Sequence, residues 1–143
     1  NGNVSLASGT PFTARVIGDI RDVARGTNGT LRADYNGADI SLANPTIDRF
    51  FNTSAFTIPA PGTFGNASRN LIIGPGSRLL NTQFARDVAL RGNRVLTIQL
   101  TTNNLLNMVN YAAIDTVVNS PTFGQILSVR GMRSTQVNLR FRF

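Results

Sequence analysis

The final eight residues of the chain, Gln136-Val137-Asn138-Leu139-Arg140-Phe141-Arg142-Phe143, decide its fold class. Apolar and polar side chains alternate, which is typical of a β-strand whose two faces meet different surroundings. The apolar face carries Val137, Leu139, Phe141 and Phe143. The polar face carries Gln136, Asn138, Arg140 and Arg142. Soluble sheets alternate as well, but the aromatic last residue and the two arginines on one face favour membrane lipid on the apolar side and a water-filled lumen on the other.

The composition excludes several classes of function. Cys and His are absent, so thiolate and imidazole chemistry, disulfides and zinc sites of the usual ligand types are ruled out. Seven Asp and no Glu leave few candidates for a paired-carboxylate hydrolase. We therefore expect no enzyme, no cofactor and no metal site. Abundant Asn, Thr and Gly, together with the absence of Glu and Lys, disfavour a helical bundle and predict strands and polar loops.

The net charge of +7 would attract anionic partners. The 14 arginines are scattered singly rather than grouped into the basic stripe that marks a phosphate-binding surface. We expect no nucleic-acid partner, and we expect the arginines to line a polar face and hold strands or loops in register.

Two upstream segments alternate in a similar way and predict a hairpin. In the strand predicted at 94–106, Leu96, Ile98 and Leu100 share one face. The strand predicted at 79–90 is less regular, because Arg86 interrupts its apolar face. Between the two, Arg91-Gly92-Asn93 supplies the residue types that a tight turn with positive φ requires.

Two further strands are predicted at about 3–16 and 125–143, the first interrupted by Gly9 and Pro11. The chain is thus predicted to be a single all-β segment over 1–143, an antiparallel meander with long loops at about 17–77 and 107–124. Both long loops lie at the end of the strands opposite the short turn, which is the layout of an outer-membrane β-barrel.

Five segments, in this order along the chain, resemble the TonB-dependent outer-membrane receptors, especially the large acidobacterial kind. They are SGTPFT at 8–13, IDRFFNTSAF at 47–56, PAPGTFGNASRN at 59–70, GPG at 74–76 and SPTFGQI at 120–126. Phe143 is similar to the aromatic end that the barrel-assembly machinery reads. The chain departs from the family where Asn138 replaces a usual Gly and in the strand ending at 101–107.

The resemblance implies a C-terminal barrel segment of a receptor that takes up a scarce solute, such as a metal chelate or a glycan. The chain contains no plug domain or TonB box, so we expect a structural role and no transport by this segment alone. We also expect it to be a processed piece of something longer. Implied partners are the remaining barrel strands and plug of the parent receptor, outer-membrane lipid and the barrel-assembly machinery.

An alternative location and function stay open. A family barrel has about 22 strands, and four strands cannot close one, so both edges would expose unpaired backbone groups. The chain could instead be a receptor-derived extracellular fibre protein, in which copies of the chain polymerise by β-strand addition or cross-β stacking. A covered soluble sandwich is a further possibility, and so is an anion- or nucleic-acid-binding module, whose affinity would fall steeply with salt.

The candidate residues of the outer loops are Asp48, Arg49, Phe50, Phe51 and Phe64. The two charges could gate a loop or, as neighbours, anchor a turn. The aromatic residues could form a ligand platform, or they could pack the long loop into a compact lid. In the lumen, Arg140 and Arg142 could contact an anionic ligand or pair with carboxylates on neighbouring strands.

Overall fold

Antiparallel β-structure dominates residues 1–17 and 31–143, which are the residues described by this computed structural model. One 3-10 helix spans Thr53–Ala55, and no helix in these ranges has the length and hydropathy of a bilayer-spanning segment. The strands are β1 (Gly2–Ala7), β2 (Pro11–Phe12), β3 (Arg15–Val16), β4 (Leu31–Arg32), β5 (Asp34–Tyr35), β6 (Phe56–Thr57), β7 (Ile72–Ile73), β8 (Ser77–Ala89), β9 (Val95–Asn103), β10 (Tyr111–Ile114), β11 (Ile126–Val129) and β12 (Ser134–Arg142).

The chain divides into two compact units. The sheet unit contains residues 1–8, 76–110 and 130–143, and the loop unit contains residues 9–75 and 111–129. The sequence predicts one continuous β segment, whereas the folded chain leaves the sheet twice to build the loop unit. Residues 18–30 of the predicted loop 17–77 lie outside the described residues.

The sheet unit is a four-stranded antiparallel sheet with the order β1-β8-β9-β12. β8 and β9 form the hairpin that the alternating segments predict, and the Leu90 N–H donates to the Arg94 carbonyl across its turn at 2.8 Å. Gly92 in this turn has φ +76°, a conformation that glycine adopts without steric cost. β1 and β12 are the two edges of the sheet.

The two ends of the sheet differ in how the strands are connected. At one end, β8 passes to β9 through five residues. At the other end, Ala7 pairs with Ser77 and Asn103 pairs with Ser134, and both long connections start and finish there. The predicted asymmetry between a short turn and two long connections is therefore present in the structure.

The described part of the loop unit holds four two-stranded antiparallel pairs, namely β2-β7, β3-β4, β5-β6 and β10-β11. Its buried core consists of Ala14, Val16, Ala33, Phe51, Ala55, Phe56, Ala67, Ile72 and Ile114. Small residues bring backbone segments close together, and the aromatic rings fill the space between them. The described parts of the predicted loops 17–77 and 107–124 thus contain short strands around a core of their own.

The predicted strand 3–16 is split into β1, β2 and β3. Gly9 lies in the first break, where its backbone packs directly against Gly74, since an added Cβ at Gly9 would overlap the Gly74 carbonyl oxygen. The predicted strand 125–143 is also split, into β11 and β12. In the break, the Arg130 N–H donates to the Asn110 carbonyl at 2.7 Å and the Arg133 N–H to Asn107 Oδ1 at 3.1 Å.

Candidate functional site

The apolar face of the sheet is built from cross-strand rows. Phe84, Leu100 and Val137 form one row, and Val88, Leu96 and Phe141 form another. Directly opposed residues of an antiparallel pair point to the same face, so the alternation in each strand produces a mainly apolar surface, which Arg86 interrupts between these two rows.

This apolar face is open to its surroundings. The side chain of Leu139 is 68% exposed and that of Phe143 is 95% exposed. The rings of Phe141 and Phe143 lie 6.1 Å apart, centroid to centroid, at 33°. An extended surface of exposed apolar side chains is unfavourable in water and marks a site of contact with lipid or with another apolar surface. Four residues were predicted to face the membrane. Val137, Leu139 and Phe141 lie on this face, and Phe143 continues its alternation beyond β12.

The opposite face is polar and carries the residues predicted to face a lumen. Gln136 Nε2 donates to Asn138 Oδ1 at 3.2 Å. Arg140 lies in a row with Thr97 and Asp87, and the Thr97 hydroxyl donates to Asp87 Oδ1 at 2.5 Å. Arg140 and Arg142 line an open cleft of about 530 Å³ together with Asp87, Thr97 and Asn138. This surface is suited to water and to hydrogen-bonding solutes.

Arg49 holds a turn in the loop unit. Its N–H donates to Thr46 Oγ1 at 3.1 Å, its carbonyl accepts from the Thr46 N–H at 2.9 Å, and its Nη2 donates to Asn52 Oδ1 at 3.1 Å. Asp48, which directly precedes Arg49 in the chain, is exposed. The bonds of Arg49 match the turn-anchoring interpretation of this charged pair.

The predicted aromatic residues have three different environments. Phe51 is buried in the core of the loop unit, with its ring 5.3 Å from Phe123 and 6.1 Å from Phe56 in edge-to-face geometry. Phe50 is half-buried and lines a cavity of about 180 Å³. Phe64 is 75% exposed. The ring of Phe51 therefore packs inward, as the alternative of a packed loop describes for this residue.

Asp115 organises the turn that follows β10. The Val117 N–H donates to its Oδ1 at 2.9 Å, and the Thr122 hydroxyl donates to its Oδ2 at 2.6 Å. Burial alone would raise the pKa of this carboxyl, but the hydroxyls of Ser120 and Thr122 and the Val117 N–H outweigh burial and lower the pKa below its ordinary value. The carboxylate thus fixes the segment 120–126.

Segments that are far apart in the sequence meet in the loop unit. The Phe50 N–H donates to the Gly124 carbonyl at 2.8 Å, and the Ile126 N–H donates to the Ile47 carbonyl at 2.8 Å, which joins 47–56 to 120–126. The Gly74 N–H donates to the Thr10 carbonyl at 2.9 Å, which joins 74–76 to 8–13. The motifs therefore act together as packing elements of one unit.

Sequence reasoning missed a group of asparagines at the loop end of the sheet. Asn110 is buried, its Nδ2 donates to the Arg78 carbonyl at 2.9 Å, and its Oδ1 accepts from the Arg78 N–H at 2.6 Å, as a neighbouring strand would. Asn104 is also buried and exchanges two bonds with the Met108 backbone at 2.9 and 3.0 Å. The richness in Asn was visible in the sequence, but no spacing distinguished these positions.

An antiparallel sheet with one lipid-compatible face, one hydrated face and long connections at one end has the architecture of a barrel wall. The model of the outer membrane beta barrel domain matches residues 1–136, and the chain belongs to this family. The predicted all-β barrel fold is confirmed, and the family supports a location in the outer membrane and does not support the extracellular alternative. No curated protein and no solved structure matches the chain.

Proposed function

We propose that the chain is the C-terminal barrel segment of a TonB-dependent outer-membrane receptor of the large acidobacterial kind. The parent receptor takes up a scarce solute, such as a metal chelate or a glycan. The segment contributes wall strands, outer loops and the assembly signal, and it catalyses no reaction. The five motifs support this assignment, since all of them resemble the receptor family and nearly all of their residues belong to the loop unit.

The observation that carries the proposal is the two-faced sheet. Apolar residues of β1, β8, β9 and β12 share one exposed face, while Arg140, Arg142 and amide side chains share the other. Lipid on the first face and water on the second satisfies both surfaces at once. The loop unit then corresponds to the outer loops, because both of its connections leave the same end of the sheet.

The edges of the sheet define its partners. Among the described strands, β1 and β12 each have a neighbour in the sheet on one side only. In hydrocarbon, each unpaired backbone group costs several kcal/mol, so these edges pair with the remaining strands of the parent barrel. Outer-membrane lipid, the receptor plug and the barrel-assembly machinery are the other partners, and nucleic acid is not one.

A nitroxide scan of β12 tests which face meets lipid. These 143 residues contain no Cys, so each single substitution from Gln136→Cys to Phe141→Cys introduces one thiol for spin labelling into this segment. In membranes, labels at 137, 139 and 141 should collide preferentially with oxygen, which concentrates in lipid. Labels at 136, 138 and 140 should collide preferentially with a water-soluble nickel complex.

The period-2 pattern is the expected result, and its loss would contradict the proposal. Low access to both reagents at 137, 139 and 141 would indicate a dry protein interior, as in a sandwich. Filaments that form without detergent and diffract at about 4.7–4.8 Å would indicate strand addition between copies instead.

The receptor assignment has its own test. Intact mass and N-terminal sequencing of the protein from the outer-membrane fraction should give a chain longer than these 143 residues and 15.4 kDa, with a plug domain preceding the barrel. A native protein of 15.4 kDa would overturn the assignment to a large receptor while leaving the lipid-facing sheet untouched.

A further inference from the structure

Three arginines and a threonine converge on the outside of the loop unit. Thr13, Arg15, Arg32 and Arg69 line a cleft of about 290 Å³. Arg15 on β3 pairs directly with Arg32 on β4, so both guanidinium groups leave the same face of the pair. Ala14 and Val16 alternate with Arg15 and are buried, which fixes the arginine on the outer face.

Hydrogen bonds hold the segment that carries Arg69 next to Arg32 and Thr13. Arg32 Nη1 donates to the Ala67 carbonyl at 2.9 Å, which ties β4 to the segment that carries Arg69. The Asn70 N–H donates to Thr13 Oγ1 at 3.0 Å, and Asn70 has φ +62°, so the chain turns next to Arg69. The Thr13 hydroxyl accepts this bond and keeps its own hydrogen for donation into the cleft.

The charge arrangement has a cost that a ligand would remove. Like charges directly opposite each other on paired strands are destabilising, yet Arg15 faces Arg32 in the register. An oxyanion between guanidinium groups replaces this repulsion with charge-assisted and bidentate hydrogen bonds. Within residues 1–17 and 31–143, the Arg32 guanidinium uses one of its five N–H groups for the Ala67 carbonyl, and the other four are open to such a ligand.

We infer that this cleft is a binding site for a phosphate-type oxyanion, with Arg15, Arg32 and Arg69 as the cationic ligands and the Thr13 hydroxyl as an additional donor. The phosphate belongs either to a soluble compound or to the headgroup of an outer-leaflet lipid. The inference goes beyond the proposed receptor role, because it names a ligand chemistry and holds whether or not the chain takes part in transport.

Inorganic pyrophosphate is the probe that tests the site. Calorimetric titration of the full chain in zwitterionic detergent should show binding that weakens with added salt. Arg15→Gln and Arg69→Gln should each weaken it about tenfold, because each removes a charge-assisted bond. Arg91→Gln removes the same charge from the exposed hairpin turn and should leave the affinity unchanged.

Hydrogen exchange on the unmodified protein covers the case in which a variant fails to fold. Pyrophosphate should protect amides at 13–16, 31–33 and 67–70 and leave those at 90–94 unchanged. Absence of this protection, or equal loss of affinity in Arg91→Gln and Arg15→Gln, would overturn the site.

Displacement of pyrophosphate by phosphatidic acid in the micelles would identify a lipid headgroup as the ligand, and lack of displacement would identify a soluble phosphate compound. Because binding is measured without transport, this site and the receptor assignment can fail separately.

Discussion

Arg86 on β8 lies directly opposite Ile98 on β9, on the face of the sheet that is otherwise mainly aliphatic and aromatic. Leu139 on β12 completes this row. A guanidinium on the lipid side of a barrel costs about 2–4 kcal/mol at the bilayer midplane and about 0–1 kcal/mol near the interfaces. Arg86→Leu should therefore increase the free energy of unfolding in lipid vesicles, measured by denaturant titration, and the size of the increase reports the depth of the row.

The control for Arg86→Leu is Arg140→Leu, which makes the same substitution on the polar face. It should leave the free energy of unfolding unchanged or lower it, because water already solvates Arg140. Stabilisation by Arg140→Leu together with destabilisation by Arg86→Leu would mean that the lipid-facing side has been assigned the wrong way round.

The direct contact between Gly9 and Gly74 predicts a sharp steric effect. In Gly9→Ala, the new Cβ would meet the Gly74 carbonyl, and only a backbone shift can relieve the overlap. We expect a loss of at least the ~1–3 kcal/mol typical of overpacking, with faster amide exchange at Ile72, which belongs to the β2-β7 pair. Gly131→Ala is the matched control, since no atom lies within 4 Å of its added Cβ. Equal exchange rates in both variants would contradict the close packing.

The hydrogen bonds of Asp115 predict that the loop unit loses stability in acid. Its pKa is lower in the folded chain than the ordinary value of 3.8, so the folded state favours the carboxylate. The stabilisation is fully present above pH 3.8 and is lost as the pH falls through the lower folded pKa. Asp115→Asn should destabilise the loop unit by about 1–3 kcal/mol at neutral pH, and this difference from the wild type should shrink in acid.

Amide exchange in 120–126, followed from pH 7 to pH 2 in the wild type and in Asp115→Asn, measures that difference. Asp48→Asn serves as the control, because it removes an exposed carboxylate of the same unit. A gap between Asp115→Asn and the wild type that stays constant over the whole range would show that the charge of Asp115 does not stabilise the turn.

Two phenylalanines of the loop unit should differ strongly in the free energy of unfolding that each loses when it is replaced by Ala. Phe51→Ala removes a buried ring that packs against Phe56 and Phe123, and we expect it to cost about 3–5 kcal/mol. Phe64→Ala removes an exposed ring and should change the free energy of unfolding by less than about 0.5 kcal/mol. Thermal denaturation of the two variants side by side measures the contrast, and similar losses would place Phe64 in a packed environment.

The alternation at 94–106 and 136–143 was enough to predict the two-faced sheet, because side-chain direction in a strand repeats every two residues and is a local property. The hairpin between β8 and β9 followed from the residue types at 91–93 for the same reason. The asymmetry of the connections was also readable, since it depends only on the positions of the strands along the chain.

The loop unit required the tertiary structure. Its strands β2 to β7 are two residues long and carry no periodic signal, and β2 pairs with β7 some sixty residues away. The inward packing of Phe51, the strand-like pairing of Asn110 with Arg78, and the meeting of Arg15 with Arg69 all depend on distant segments brought together by folding. Local pattern determined which segments are strands with two faces, and long-range packing energy decided which loop residues are buried and which remain available to a ligand.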